Sequence, residues 1–334
     1  MVFSANPYIA AHVEPNVRVL PGGGRGWTQV RLAGALRRAG VDVYFSPIPV
    51  LPLLAPMPCP AVVTVQDLLE FRPRWWYFKR LIGHALRTAG AVVCISQSTE
   101  QEVASEFPDV AARLAVVRLA ADPDMFHEAP ADATESESAA GAALLARLGV
   151  TEAPVLAVGT IQPRKNYARL IEAYARVARD APATPPLLII GSYGWDYEQV
   201  IALPAKLGIQ GRVVFAGRLE DEEVARLMRA SLFLAAVSTG EGFGLPLVEA
   251  MYSGLPALAA DIPPFREVAG NAAMFVNPLS VDDIAAGLTR LLGDGELRQE
   301  LISVGRGRRA LFSWDRAADE VAAALQRALA ARHP

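Results

Sequence analysis

Residues 238–256 read STGEGFGLPLVEAMYSGLP, Ser238 to Pro256, between two short apolar runs, Leu232–Ala236 and Pro256–Ala259. Such runs read as buried strands, so the stretch between them has to turn, form a helix and turn again. Pro246 suits the first helical turn, where its missing N–H leaves nothing unpaired. Gly254 suits the stop after about Tyr252. Ahead of the helix, Gly242 and Gly244 leave the first N–H groups uncapped at the positive end of the dipole, an anion site suited to phosphate. Glu241 enters from the preceding loop. Glu249 sits one turn into the helix, and helical side chains tilt back toward the amino end, so its carboxylate can reach the same cleft. Carboxylates repel phosphate but accept hydrogen bonds from hydroxyls. Phosphate at the helix end with sugar hydroxyls at two glutamates describes a nucleotide sugar. The same residues also fit a tight strand-to-helix turn with solvated glutamates, because glycine-rich turns are common.

Strand candidates recur on both sides of this stretch: Val17–Leu20, Asp42–Ser46, Ala61–Val65, Ala91–Ile95 and Leu114–Arg118, then Val155–Gly159, Leu187–Gly191, Val213–Gly217 and Ala273–Val276. Continuous apolar strands separated by amphipathic helical stretches predict parallel sheets covered on both faces. Ala129 to Ala153, with the polar run DATESESAAG, reads as a linker entering a short helix near Ala142–Leu148. The expected fold class is α/β: two Rossmann-like domains, 1–128 and 154–314, with parallel sheets facing across a cleft and the 129–153 linker between them. Residues 315–334 hold a last helix, about Asp315 to Ala330 with Ser313 as N-cap, placed to pack back on the first domain. A second loop of interest, Val158-Gly-Thr-Ile-Gln-Pro-Arg-Lys-Asn166, follows a strand, with Asn166 as N-cap of the helix Tyr167–Asp180. Arg164 and Lys165 then lie at the carboxyl end of a parallel strand, where open α/β sheets bind ligands. A guanidinium fork and a compact ammonium there suit a diphosphate without a metal, although a solvated basic pair is the alternative.

The totals exclude several classes. The chain has 334 residues, 52% hydrophobic and 20% charged, which is enough apolar material for two cores and argues against disorder. A net charge of −3 gives no bias toward nucleic acid, and no nucleic-acid partner is expected. Cys59 and Cys94 lack metal-ligand spacing and read as buried thiols. MVFSANPYIAA has no basic n-region and no long apolar core, so a signal peptide is not expected. The uncharged run Val43–Val65 contains Pro47, Pro49, Pro52, Pro56, Pro58 and Pro60, which a membrane-spanning helix could not carry. Four histidines, His12, His84, His127 and His333, form no nucleophile–base arrangement, and no Gly-x-Gly-x-x-Gly follows a first strand as a dinucleotide enzyme requires. The one Asp-x-Asp, Asp122-Pro-Asp124, sits in a post-strand turn and is assigned no metal.

In order along the chain, GTIQPRKN, LLIIGSYGW, VVFAGRLEDEEVARL, STGEGFGLPLVEAMYSGLP, FREVAG and FSW resemble the donor-binding half of a retaining family 4 glycosyltransferase of GT-B fold. Glu-x7-Glu from Glu241 to Glu249 is that family's hallmark spacing. The front half agrees through DVYFSPIPVLPLL, VVTVQDLLEFRP and AVVCISQSTEQEV. The resemblance implies a retaining hexosyl transfer, mannose from GDP-mannose being one candidate, in polysaccharide or glycolipid assembly. It implies that Arg164 and Lys165 hold the donor diphosphate, with Gly159 beside them. Glu241 would contact the transferred sugar, helped by Gly242, Phe243, Gly244 and Leu245. Glu249 would bond the ribose diol, and Arg218 and Leu219 would lie near the base. Arg164, Lys165 and Glu241 form the expected catalytic set, and Gln66 and Asp67 the acceptor side. The partners implied are a nucleotide-diphospho-sugar and a glycan or polyprenyl-linked acceptor, with neither metal nor cofactor.

Two departures stand out. Gln66 replaces the histidine that often precedes the Asp of VVTVQDL; it can hydrogen-bond but cannot titrate near neutral pH. The first strand and helix of the usual acceptor domain are not recognisable, and Pro21-Gly-Gly-Gly-Arg25 reads as a loop. A non-catalytic nucleotide-sugar-binding or scaffold protein therefore stays open, as does an epimerase of the same fold. From Phe71 to Thr99 no acid occurs, while Arg72, Arg74, Lys79, Arg80 and Arg87 accompany Trp75, Trp76, Tyr77 and Phe78. Such a segment suits either a helix packed by its aromatics or peripheral contact with an anionic membrane. The expected location is cytoplasmic, peripheral on the inner membrane face if that contact is made.

Overall fold

The computed structural model describes residues 2–4, 17–19, 31–53, 55–68, 75–128 and 135–331. Strands β1 (Val2–Ser4) and β2 (Val17–Val19) pair in parallel as a two-stranded sheet. Strands β3 (Tyr44–Ser46), β4 (Ala61–Val65), β5 (Ala91–Cys94) and β6 (Leu114–Val116) form a parallel sheet in that order. Helices α1 (Ala33–Ala39), α2 (Trp75–Thr88) and α3 (Gln97–Glu106) belong to this first domain. β4, AVVTV, is buried along its whole length and its side chains divide by the pleat. Ala61, Val63 and Val65 pack with Leu86 and Phe107 on one face, and Val62 packs with Val93 on the other.

Helix α4 (Glu135–Arg147) leads into the second domain. It begins earlier than the Ala142 start expected from sequence, in keeping with the run of alanines that favours helix. A six-stranded parallel sheet follows, of β7 (Val155–Val158), β8 (Leu187–Ile190), β9 (Val213–Gly217), β10 (Phe233–Ala236), β11 (Ala257–Ala260) and β12 (Ala273–Val276), in spatial order β12-β11-β10-β7-β8-β9. The intervening helices are α5 (Tyr167–Asp180), α6 (Tyr197–Lys206), α7 (Asp221–Arg229), α8 (Leu245–Tyr252), α9 (Pro263–Ala269) and α10 (Val281–Gly293). Two cores cover the sheet, Leu156 pointing into one and Val155 and Ala157 into the other. On α5, Leu170, Tyr174 and Val177 recur at helical spacing and are buried in the second core. The chain order reverses between β7 and β10, so the crevice outside their carboxyl ends is the topological switch point of the domain.

Helix α11 (Gly295–Arg308) is followed by α12 (Trp314–Ala330), whose N-cap Ser313 accepts the Arg316 N–H. Ala324 and Ala328 of α12 join the Val62–Val93 face of the first sheet, so the last helix covers the first domain. The approach needs glycine at 90, where a Cβ would stand 2.9 Å from that of Ala328. One expected cap is corrected. Asn166 is left-handed, with φ of 60°, and its side chain caps nothing; its Nδ2 instead donates to the Val237 and Pro278 carbonyls, at 2.9 and 2.7 Å. Pro21–Arg25, Arg72 and Arg74 lie outside the described residues, as does most of the region expected to lack a strand and helix.

Candidate functional site

The loops leaving β7 and β10 meet at the switch point. The Thr239 N–H donates to the Arg164 carbonyl at 2.9 Å, and Asn166 ties its loop to the end of β10 through Val237. Gly159, with φ of 142°, opens the first loop; a Cβ there would lie 3.0 Å from Lys165 Cε and 3.2 Å from its Nζ. The positive φ favours glycine there, and any side chain would also push the lysine back by a few tenths of an ångström. Tyr167 donates its hydroxyl to the Gly159 carbonyl at 2.9 Å; burial, and after it the charge of Glu241, push the phenol well above its ordinary range. Lys165, Tyr167, Ser238, Glu241, Pro246 and Phe265 line a small pocket here.

At this pocket, lined by Lys165 and Glu241, Lys165 and the adjacent Arg164 converge on one carboxylate. Lys165 Nζ donates to Glu241 Oε1 at 2.7 Å, and Arg164 Nη1 to Glu241 Oε2 at 2.8 Å and to the Gly240 carbonyl at 3.1 Å. The three side chains are 10–20% exposed, so these ion pairs are only weakly screened. Sequence spacing gave no hint of this pairing. Helix α8 begins beside them. Gly244 is its N-cap with φ of 113°, no side chain caps the end, and Pro246 is in the first turn, so orphan N–H groups and the positive dipole end face this region. Glu249, one turn in, does not line the pocket. Burial first, and then Asp221, push its carboxyl up to about 7, while Lys165 pulls the other way. Lys165 is thus the common neighbour of both glutamates.

The first domain closes over the same loop. A Cβ on Gly242 would lie 2.0 Å from the Gln66 carbonyl oxygen and 3.1 Å from Asp67 Cβ. Asp67 Oδ2 is 3.8 Å from Arg164 Nη1. The Gly242 carbonyl accepts from Ser96 Oγ at 2.6 Å and from Thr99 Oγ1 at 3.2 Å. Both hydroxyls are buried, and Ser96 is also the N-cap of α3. Sequence reading missed these two; the signal available was an N-cap serine at the carboxyl end of a parallel strand. Phe243 is buried, edge-on to Phe312 at 5.9 Å, so its side chain packs while its backbone shapes the loop, and Leu245 opens α8. The structure therefore groups Gly159, Arg164, Lys165, Glu241, Gly242, Gln66 and Asp67. Arg218 and Leu219 follow β9 at the outer edge of the sheet, Arg218 exposed and Leu219 packed on the core that also holds Phe243 and Leu247. The Asp122 carboxylate accepts the Asp124 N–H at 2.9 Å, closing the local turn.

Two parallel sheets meeting across a cleft at a switch point define a GT-B fold. A family model, Glycosyl transferases group 1, matches residues 147–308, and a second, Glycosyltransferase Family 4, matches residues 4–125. The chain belongs to glycosyltransferase family 4. It is 27% identical over 263 residues to the O-antigen chain mannosyltransferase B of Escherichia coli, covering 76% of this chain and 67% of that one. It is 28% identical over 262 residues to the MMP alpha-(1->4)-mannosyltransferase of Mycolicibacterium hassiacum, covering 77% and 59%. The matched region thus spans about two thirds or less of each of these relatives. The fold superposes on Anabaena HepE in complex with UDP and glucose with a TM-score of 0.78 at 21% identity, covering 96% of this chain and 88% of that one.

Proposed function

We propose that this chain transfers a hexose, mannose being the first candidate, from a nucleoside-diphosphate sugar to a glycan or lipid-linked acceptor with retention of configuration. The convergence of Arg164, Lys165 and Glu241 at the switch point, beside an uncapped helix end, carries this reading. Breaking a sugar–phosphate bond builds negative charge on the leaving diphosphate. Two preoriented cations and a helix amino end are suited to stabilise it, the kind of term that dominates many enzymatic rate gains. In this reading no metal is assigned to the step. Glu241 accepts hydroxyls of the transferred sugar, Glu249 serves the ribose, and the departing phosphate takes the acceptor proton. Mannose and polysaccharide assembly are suggested by the names of the relatives. Among the described residues no helix is long and apolar enough to cross a membrane. Trp76 is 77% exposed beside exposed Arg80, which suits contact with an anionic bilayer; pelleting with and without anionic vesicles reads that part.

The test is donor turnover across GDP-, UDP- and ADP-sugars, with and without acceptor glycans, together with nucleotide binding. One donor should turn over. The Arg164→Gln, Lys165→Gln double variant should bind it at least about a hundredfold more weakly, as expected for losing two charge-assisted contacts. Unchanged affinity in that variant would sink the assignment. Binding without turnover would favour the non-catalytic reading, and interconversion of sugar epimers would favour the epimerase.

A further inference from the structure

We infer that the hinge side of the interdomain seam carries a second anion site, one that takes a phosphate group. A cavity of about 370 Å³ lies where α9 meets the start of α3 and where the chain crosses between the domains. Arg118 enters it from the segment leaving β6, Arg266 from α9, Arg308 from the end of α11 and Arg316 from the first turn of α12. Among the described residues, Glu267 is the only carboxylate lining it. None of Arg164, Lys165 and Glu241 contributes.

The charges do not balance. Arg266 is met by Asp261 at 2.7 and 2.8 Å, and Arg316 by Glu320 at 3.1 Å, so outlying acids answer these two. Arg118 and Arg308 are left with Glu267. Arg118 Nε lies 3.4 Å from its Oε1. Arg308 Nε donates to the Val268 carbonyl at 2.5 Å and Nη2 to the Glu267 carbonyl, acceptors that carry no charge. Glu267 is itself shared, because its carboxylate also accepts the Gln97 and Ser98 N–H groups at 3.0 and 3.2 Å and so caps α3. One carboxylate therefore answers two guanidiniums and the positive end of a helix. Burial, and then repulsion from Arg118, push the Arg308 guanidinium below its ordinary value. An added anion relieves that excess. Forked guanidiniums match the oxygens of a phosphate, and Leu311 and Phe312 wall the cavity on an apolar side, which leaves room for a substituent on the phosphate. Because its arginines come from both crossings and from α9, a bound phosphate ties the two domains together behind the donor cleft.

Calorimetric titration with inorganic phosphate and, separately, with butyl phosphate tests this, at constant ionic strength against a chloride control. Saturable binding is expected for the native chain and for the Arg164→Gln, Lys165→Gln variant. It should weaken about tenfold or more in Arg118→Gln and also in Arg316→Gln, whose exposed position makes misfolding a poor explanation. Tighter binding of the ester would point to a phosphorylated metabolite or lipid, and equal binding to free phosphate. The inference is overturned if binding is not saturable, if both arginine variants bind as the native chain does, or if only the Arg164→Gln, Lys165→Gln variant loses it. None of these readouts depends on sugar transfer, so the two proposals fail separately.

Discussion

Replacing Glu249 by glutamine should stabilise the chain, and only at high pH. The Glu249 carboxyl is raised from 4.5 to about 7, first by burial and then by Asp221. Between those values the folded chain holds a proton that the unfolded chain has released. The unfolding free energy therefore falls as pH rises through this window. The stability is fully present below about pH 4.5 and is lost as pH climbs through 7. At 1.36 kcal/mol per pH unit this displacement is worth at most about 3 kcal/mol. The partial exposure of the Glu249 side chain reduces this to about 2 kcal/mol. Glutamine copies the neutral acid, so native and variant should differ least at pH 5, the lowest pH measured, and converge below about 4.5. At pH 8.5 the variant should lead by about 2 kcal/mol, or roughly 4 °C for a domain of this size. Urea and thermal unfolding at pH 5, 6, 7 and 8.5 measure the difference. A gap that stays flat across that range would refute the reasoning, because it would mean that the ionised carboxylate is as well accommodated as the neutral one.

Gly242→Ala puts a methyl carbon 2.0 Å from the Gln66 carbonyl oxygen. Two backbones cannot both yield there, so the domains should seat poorly and donor turnover should fall by about tenfold or more, for an overpacking penalty of roughly 1–3 kcal/mol; unchanged turnover in a steady-state assay would contradict it. Cys94 is fully buried and its thiol is pushed up to about 12 by burial, with Glu100 adding to the effect. Iodoacetamide at pH 8 should leave Cys94 unmodified by mass spectrometry until denaturant is added.

Most of the fold was legible because parallel strands covered on both faces have to be written as apolar runs. Val155–Val158, Leu187–Ile190 and Ala257–Ala260 could scarcely be anything else. The loop from Ser238 to Leu245 was legible for a different reason: Gly244 needs its positive φ, and Pro246 fits only an early helical position. Asn166 shows where local reading fails. Its residue type promised a cap, but tertiary contacts claimed the amide for two carbonyls 71 and 112 residues away. Likewise, the pairing of Arg164 and Lys165 with Glu241 joins loops some 76 residues apart. The Ser96–Gly242 bond joins two domains. Such partners follow from sheet order, which no local spacing encodes.

That sheet order also explains why five consecutive residues carry so much. Gly240 and Glu241 turn a carbonyl and a carboxylate toward Arg164 and Lys165. Gly242 turns its carbonyl the other way, to Ser96 and Thr99 of the first domain, and presses against Gln66. Phe243 anchors the loop on Phe312, where the chain crosses back. Gly244 then starts α8. A loop fixed on one side by the cations and on the other by the first domain cannot hold its shape without both. The bonds from Ser96 and Thr99 cross between the domains, so the seating of the first domain bears on where the neighbouring Glu241 carboxylate stands. Seating the first domain would then do more than exclude water: it would align the group proposed to hold the sugar.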